Sequence, residues 1–371
     1  LNKDFYIDTK NEFNKFIIKA KAQKVIAVDT EFLWRETYNP ILGLIQVAFS
    51  RDECYLIDTI NISDISAFGE ILIDNRIVKI LHDAQQDLLI LSRHCKNITP
   101  RNIFDTRRAA GFAGLDHTIS LAKLTEELLG ISLPKSETTT NWTRRPLTEK
   151  QVNYAIDDVI YMCEIRKILL NKITQNGFVG WLNDEMKVYE HDKLYKKIKT
   201  EERYLKLKGI KRLGPIKLKL AKHLAAWREE EAEKKNIPKT FIFKDNVLLK
   251  IVHENPKNLQ DLQKMLLLPP KRLKHFGKDI IMVLKRALNS DEDLSSVLND
   301  MKFVIKGNEL VKLKKFVIEK AKEFNIATDI IATRADLVKL LEDKKKNNFR
   351  NNQLLNTWRK DIFDCFFKNN L

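Results

Sequence analysis

The chain has 371 residues, 44% of them hydrophobic and 31% charged, with a formal net charge of +16, enough for roughly two or three domains with real cores. No window approaches 18 uninterrupted apolar residues, and the opening LNKDFYIDTKNEF alternates polar and apolar residues, so neither a membrane span nor a secretory signal is expected. Cys54, Cys95, Cys163 and Cys365 form no CxxC pair and the seven histidines no HxxxH or HExxH spacing, which excludes the common zinc and redox motifs and fits reduced thiols in a cytosol.

Charge divides unevenly. Residues 1–200 carry 28 Lys and Arg against 27 Asp and Glu, whereas residues 201–371 carry 38 against 23. The first part is +1 and the second +15, so the second is the candidate for attracting a polyanion. The competing reading is that its lysine-rich helices are simply solvated surfaces.

In chain order, VIAVDTEF from Val25 reads as a buried strand, and LGLIQVAF ending at Phe49 and CYLIDT (54–59) as two more at hairpin distance. IVKILHD leads into a helix over 84–94, IFDT (103–106) is a short strand, and helices follow over 106–112 and 118–130. Such an order predicts a mixed sheet flanked by helices. The last helix of the domain has the most legible start. Thr148 stands at its N-cap, Gln151 completes a capping box, and Leu147 faces Val152 as a hydrophobic staple. It is expected to run to about Lys172, with Gly177 beyond its end.

Acidic residues mark this domain. Asp29 and Glu31 alternate along a strand and so project together, while Thr30 points to the other side. Two adjacent carboxylates repel each other unless a cation sits between them. Asp87 lies one turn into the helix after the fourth strand. Asp83 precedes Gln86 by three residues and reads as a helix N-cap, outside the site. Tyr154 and Asp158 are i and i+4 on one helix face, and spacing alone does not choose between Asp157 and Asp158.

The runs VDTEF with TYNPILGLIQV, ILHDAQQDL, and SETTTNWTRRPLTEKQVNYAIDDVIYM resemble the DEDD superfamily of 3′→5′ exonucleases, in its tyrosine-containing branch, and most closely the bacterial ribonuclease D family. The resemblance implies an α/β, ribonuclease H-like exonuclease domain. Within it, Asp29, Glu31, Asp87 and Asp158 would be metal-binding catalytic carboxylates, Tyr154 the third-motif tyrosine, and the cofactor two divalent cations, Mg2+ or Mn2+. Its YxxxD spacing selects Asp158 over Asp157. One departure is Asn141, which precedes Trp142 where an aspartate is expected. His82 is read either as a contact for the terminal nucleotide or as a satisfied histidine at a strand end. Trp142 and Arg145 are candidates for base stacking and phosphate contact, or for packing and capping. Gln46 is left open between a buried hydrogen-bonding residue and a donor to the site, and Phe32 and Trp34 between core and stacking platform.

From about residue 213 no strand pattern remains. IKLKLAKHLAAWREEEAEKKN reads as an amphipathic helix with Leu220, Leu224 and Trp227 on one face, and helices are predicted at DNVLLKIV, NLQDLQKML and GKDIIMVLKRAL. Sliding the chain against itself by 89 residues lays NIPKTFIFKDNVLLKIV (236–252) over NIATDIIATRADLVKLL (325–341), with Trp227 over Phe316. The first copy resembles the HRDC domain and the second a diverged version of it. The expected domains are therefore 1–200 for the nuclease, 212–291 for an HRDC domain and 300–371 for a second all-α HRDC-like module. Lys271, Arg272, Lys274 and Lys278 are candidate phosphate contacts, positioning RNA without reading its sequence. The resemblance implies a monomeric, cytoplasmic exoribonuclease acting on RNA, with precursor tRNA 3′ ends as substrate and no membrane partner. The alternatives are a DNA-directed 3′→5′ exonuclease and a catalytically idle RNA-binding protein. The first is weakened by the lack of a GxxxxGK[ST] motif and the second by the intact carboxylate set.

Overall fold

The computed structural model describes residues 5–134, 140–301, 307–346 and 352–370; residues 135–139, part of the third acidic motif's run, lie outside them. Hydrophobic runs of strand length build a six-stranded sheet in the order β1-β4-β3-β2-β5-β6. Its strands are β1 (Tyr6–Ile7), β2 (Val25–Leu33), β3 (Ile41–Ser50), β4 (Glu53–Asp58), β5 (Val78–Leu81) and β6 (Ile103–Asp105). β1 runs parallel to β4, β2 to β5, and β5 to β6, while β3 and β4 form an antiparallel hairpin with an irregularity between Ala48 and Ser50. The sheet is mixed, as expected. Ile26, Ala27, Val28, Leu44, Ile45 and Val47 are fully buried, so β2 and β3 are central strands covered on both faces.

Helices α1 (Lys10–Lys21), α2 (Phe68–Ile73), α3 (Gln85–His94), α4 (Thr106–Phe112), α5 (Leu121–Leu129), α6 (Glu149–Ile160), α7 (Met162–Gln175), α8 (Val179–Met186) and α9 (Asp192–Tyr195) complete this part of the chain. Neither α1 nor α2 is among the predicted elements. Thr9 nevertheless caps α1 at Glu12 N, and Phe13, Phe16, Ile17 and Ala20 are its buried stripe. The helix predicted from Thr148 to about Lys172 is two helices, broken at Tyr161.

The chain forms two compact units. One comprises residues 1–33, 42–196 and 305–371; the other comprises 34–41 and 197–304. The second unit contains α10 (Pro215–Lys234), α11 (Lys239–Ile242), α12 (Asp245–Glu254), α13 (Leu259–Lys264), α14 (Pro270–Leu288) and α15 (Ser295–Met301). Leu220, Leu224, Ile242, Leu248, Ile251 and Ile280 meet in its core, with Trp227 partly buried against it. Tyr38, from the 34–41 segment, belongs to the same unit and donates its hydroxyl to Glu229 at 2.9 Å.

The chain then returns to the first unit as α16 (Gly307–Phe324), α17 (Thr328–Ile331), α18 (Arg334–Lys345), α19 (Gln353–Asn356) and α20 (Lys360–Asn370). The segment expected as a third domain thus belongs to the nuclease unit, where it packs against helices α4 and α8. Trp358 stacks on Trp181 at 4.7 Å and tilts against Phe112 at 5.2 Å, and Ala327 N donates to Gly111 O. Gly111 permits the approach: a Cβ there would lie 2.4 Å from Ile330 Cγ1. The 89-residue offset recurs in the backbone. Asn236 and Asn325 both adopt positive φ, α11 and α17 begin at 239 and 328, and α12 and α18 at 245 and 334.

Candidate active site

The apolar strand β2 carries Asp29 and Glu31 out of the core, and the capping box at Thr148 sets the register of α6, which brings Asp158 to them. Thr148 Oγ1 accepts from Gln151 N at 3.2 Å and Gln151 Oε1 accepts from Thr148 N at 3.0 Å. Among the described residues, Asp29, Glu31 and Asp158 each offer an oxygen within 4.8 Å of the others. The cluster contains Asp158 and not Asp157. Tyr154, one turn earlier on the same helix, lies close enough to Asp158 for each to shift the other's pKa.

Asp87 stands beside this trio rather than in it. Its Oδ1 accepts the hydroxyl of Thr30, so the strand residue that alternates away from Asp29 and Glu31 still serves the site. Sequence reasoning gave Thr30 no role; its signal was a hydroxyl buried in an apolar strand. Asp83 is not the cap of α3. Ala84 occupies that position without a side-chain bond, and the Asp83 carboxylate pairs instead with Arg107. Capping is supplied from another strand: Asp105 accepts from Asp83 N and Ala84 N, each at 3.1 Å.

Electrostatically the site is a set of anions short of a counter-charge. Burial, then repulsion from Asp87, Asp158 and Glu31, holds the Asp29 carboxyl well above its usual range. Burial and the charges of Asp158 and Asp87 push Glu31 up to about 9. Burial raises Asp158 to about 7 despite the lowering influence of the neighbouring Tyr154 hydroxyl, and raises Asp87 to about 6 despite the Thr30 bond. Burial and the same carboxylates push the Tyr154 phenol far above its ordinary value. An all-oxygen, mutually repelling donor set of this kind fits hard divalent cations such as Mg2+ or Mn2+.

Three of the secondary candidates turn inward. Both ring nitrogens of His82 are engaged, Nδ1 with Thr106 Oγ1 at 2.9 Å and Nε2 with Ile119 O at 3.0 Å, and burial lowers its pKa. These bonds satisfy the ring at the end of the strand. Trp142 is only 1% exposed and lies against Tyr154 with centroids 6.0 Å apart, so its indole is a packing wall and presents no face to a base. Arg145 spends all five donors internally. It grips Asp58 with two bonds of 2.6 Å and reaches the carbonyls of Gly43, Trp142 and Arg144, which leaves nothing for phosphate. Asn141 Oδ1 accepts from Thr143 N and Oγ1 at 2.9 and 2.6 Å, closing a local turn. Gln46 is fully buried, and its amide has no hydrogen-bond partner among the described residues. Phe32 is half-buried, whereas Trp34 is 53% exposed. In the second unit, Lys271, Lys274 and Lys278 are exposed along α14, and Arg272 donates to Thr240 O at 3.5 Å.

Comparison with known proteins agrees with this arrangement. Residues 5–174 match the 3′–5′ exonuclease family model and residues 217–284 the HRDC domain model. The ribonuclease D of Desulfotalea psychrophila is 39% identical over 98% of this chain and 97% of its own length, and that of Bartonella henselae 34% identical over 91% and 82%. The crystal structure of Escherichia coli RNase D, described as an exoribonuclease involved in structured RNA processing, superposes with a TM-score of 0.89 at 27% identity, covering 98% of this chain and 97% of that one. With its exonuclease domain, its HRDC domain and similarity along nearly its whole length, the chain belongs to the ribonuclease D family of 3′–5′ exonucleases.

Proposed function

We propose that this 3′→5′ exoribonuclease releases 5′-mononucleotides from the 3′ ends of precursor tRNA and other structured RNAs, as a cytoplasmic monomer using two divalent cations, Mg2+ or Mn2+. The observation that carries the reading is the convergence of Asp29, Glu31 and Asp158 within 4.8 Å, with Asp87 near enough to raise the pKa of Glu31. When bound there, the cations supply neutralisation of phosphate charge and a water acidic enough to attack near neutral pH.

The chain's own residues do the positioning. Asp29, Glu31 and Asp158 would hold the metals, and Asp87, itself held by the Thr30 hydroxyl, would steady the site. Tyr154 remains a phenol across the physiological range because its pKa is raised. It therefore acts as a hydrogen-bond donor that orients the attacking water, not as a base. Substrate choice is supported by the structural relative that processes structured RNA. Among the described residues no helix is long and apolar enough to cross a membrane. The +15 half supports an RNA handle on α14. The offset repeat supports a second HRDC-like module in the 300–371 segment.

End-labelled RNA and DNA of one sequence, incubated with Mg2+, Mn2+ or chelator, test the reading. Stepwise mononucleotide release from the RNA 3′ end, abolished by chelator, is expected. A preference for DNA would favour the DNA-directed alternative, and binding without hydrolysis the idle one. Asp29→Ala and Asp158→Ala are expected to keep the fold, as read by circular dichroism, and lose nearly all hydrolysis; wild-type turnover in either would sink the assignment.

A further inference from the structure

Asp105 belongs to none of the three acidic motifs, yet five groups converge on its carboxylate, which is 1% exposed at the end of β6. Asp83 N and Ala84 N donate to it from the turn between β5 and α3, and Arg107 N and Arg108 N donate at 2.8 and 3.4 Å from the start of α4. The fifth donor is the hydroxyl of Tyr189. Asp83 has a φ of 59°, a left-handed conformation that a non-glycine residue keeps only when its surroundings hold it. Asp87 follows in the first turn of α3, so the groups that fix this turn fix where Asp87 stands.

Behind Asp105 the contacts continue. Arg108 donates through Nε to Tyr189 Oη at 2.9 Å and through Nη1 to Glu185 Oε1. The other oxygen of Glu185, a residue only 6% exposed, accepts from Trp358 Nε1 at 3.1 Å and Arg359 Nη2 at 2.7 Å. Arg359 is 7% exposed and is itself held by the carbonyls of Ile330 and Ile331. Both Arg359 and Trp358 lie just before α20.

We infer that Asp105 is a positioning residue for Asp87, and that Arg359 of the C-terminal helical segment reaches the metal site through Glu185, Arg108, Tyr189 and Asp105. The physical reason is charge neutrality in a buried row. Glu185 without Arg359 is an under-compensated buried anion. Arg108 is then drawn toward it and away from Tyr189, and the Tyr189 hydroxyl, no longer polarised by the guanidinium that donates to it, holds Asp105 more weakly. The inference rests on Asp87 acting as a metal-site carboxylate.

Calorimetric titration of the metal-free full chain with MnCl2, with circular dichroism melts alongside, tests it. Asp105→Asn is expected to weaken Mn2+ binding about ten- to a hundredfold, the range for groups that orient a ligand, and Glu185→Gln to act in the same direction to a lesser degree. In an Asp87→Asn background, Asp105→Asn should add nothing further. Mn2+ binding unchanged by Asp105→Asn, or a fully additive loss in that background, overturns the inference. If Asp87→Asn alone leaves Mn2+ binding unchanged, the role of Asp87 falls first and this inference with it. Should Asp105→Asn fail to fold, Glu185→Gln and Arg359→Gln are read by the same titration, and wild-type binding in both refutes the relay.

Discussion

Crowded carboxylates make the metal-free site an acid-stabilised one. Glu31 moves from 4.5 in the open chain to about 9 in the folded protein, so between these values the folded state keeps a proton that the unfolded chain releases. Raising the pH through that window therefore favours unfolding, and below it neither state is ionised and the difference vanishes. The melting temperature in chelator should fall as pH rises from about 5 to 9. Stabilisation by Mg2+ should grow over the same range because the cation replaces the protons. Glu31→Gln should flatten the chelator curve, and a slope unchanged by it would contradict the assignment. Tyr154→Phe probes a different property. It removes the hydroxyl but keeps the ring that Trp142 backs, so kcat is expected to drop about a hundredfold through misorientation while Mn2+ affinity stays near wild type.

At the scale of elements, α6 is the part of the site written most openly. Its capping box is a local exchange between Thr148 and Gln151, readable from a four-residue spacing, and Thr148→Ala is expected to cost about 1 kcal/mol in a urea melt. Where α6 ends was not readable. Tyr161 is neither Gly nor Pro and keeps a near-helical backbone, and the interruption is accompanied by Arg51 lying 5.1 Å from its ring, a contact from a distant hairpin. The other wall of the site depends on a glycine. A Cβ at Gly43 would lie 2.5 Å from Trp142 O, a backbone atom that cannot rotate away. Gly43→Ala should thus cost about 1–3 kcal/mol and disturb Tyr154 through Trp142, visible as lower kcat at unchanged Mn2+ affinity. Helix α1 is legible in principle, because Thr9 and Glu12 show the same capping spacing, although the strand pattern that follows it is the stronger signal.

For the whole molecule, the division of labour follows chain position less closely than the charge count implies. Removing residues 212–371 would separate handle from nuclease only if the C-terminal helices stood apart, but those helices bury Trp358 against Trp181 and Arg359 against Glu185. Such a deletion would strip the nuclease unit of part of its core. Substituting Lys271, Lys274 and Lys278 by Gln is the cleaner experiment. If they contact phosphates, the slope of log binding against log salt for single-stranded RNA should shrink by about 2, with Mn2+ binding unchanged. An unaltered slope would place the RNA handle elsewhere.

What the sequence determined by itself was whatever depends on neighbours a few residues apart: the alternation that turns Asp29 and Glu31 the same way, the i, i+4 pairing of Tyr154 with Asp158, the capping box, and the 89-residue repeat. Family resemblance then selected Asp158, and the carboxylate cluster includes it. Tertiary structure decided matters that turn on partners far along the chain. Arg145 is spent on Asp58, Trp142 is sealed behind Tyr154, and the start of α3 is capped by Asp105 rather than Asp83. A hydrogen-bonding side chain has few donors, and only the folded chain determines which acceptors reach them first.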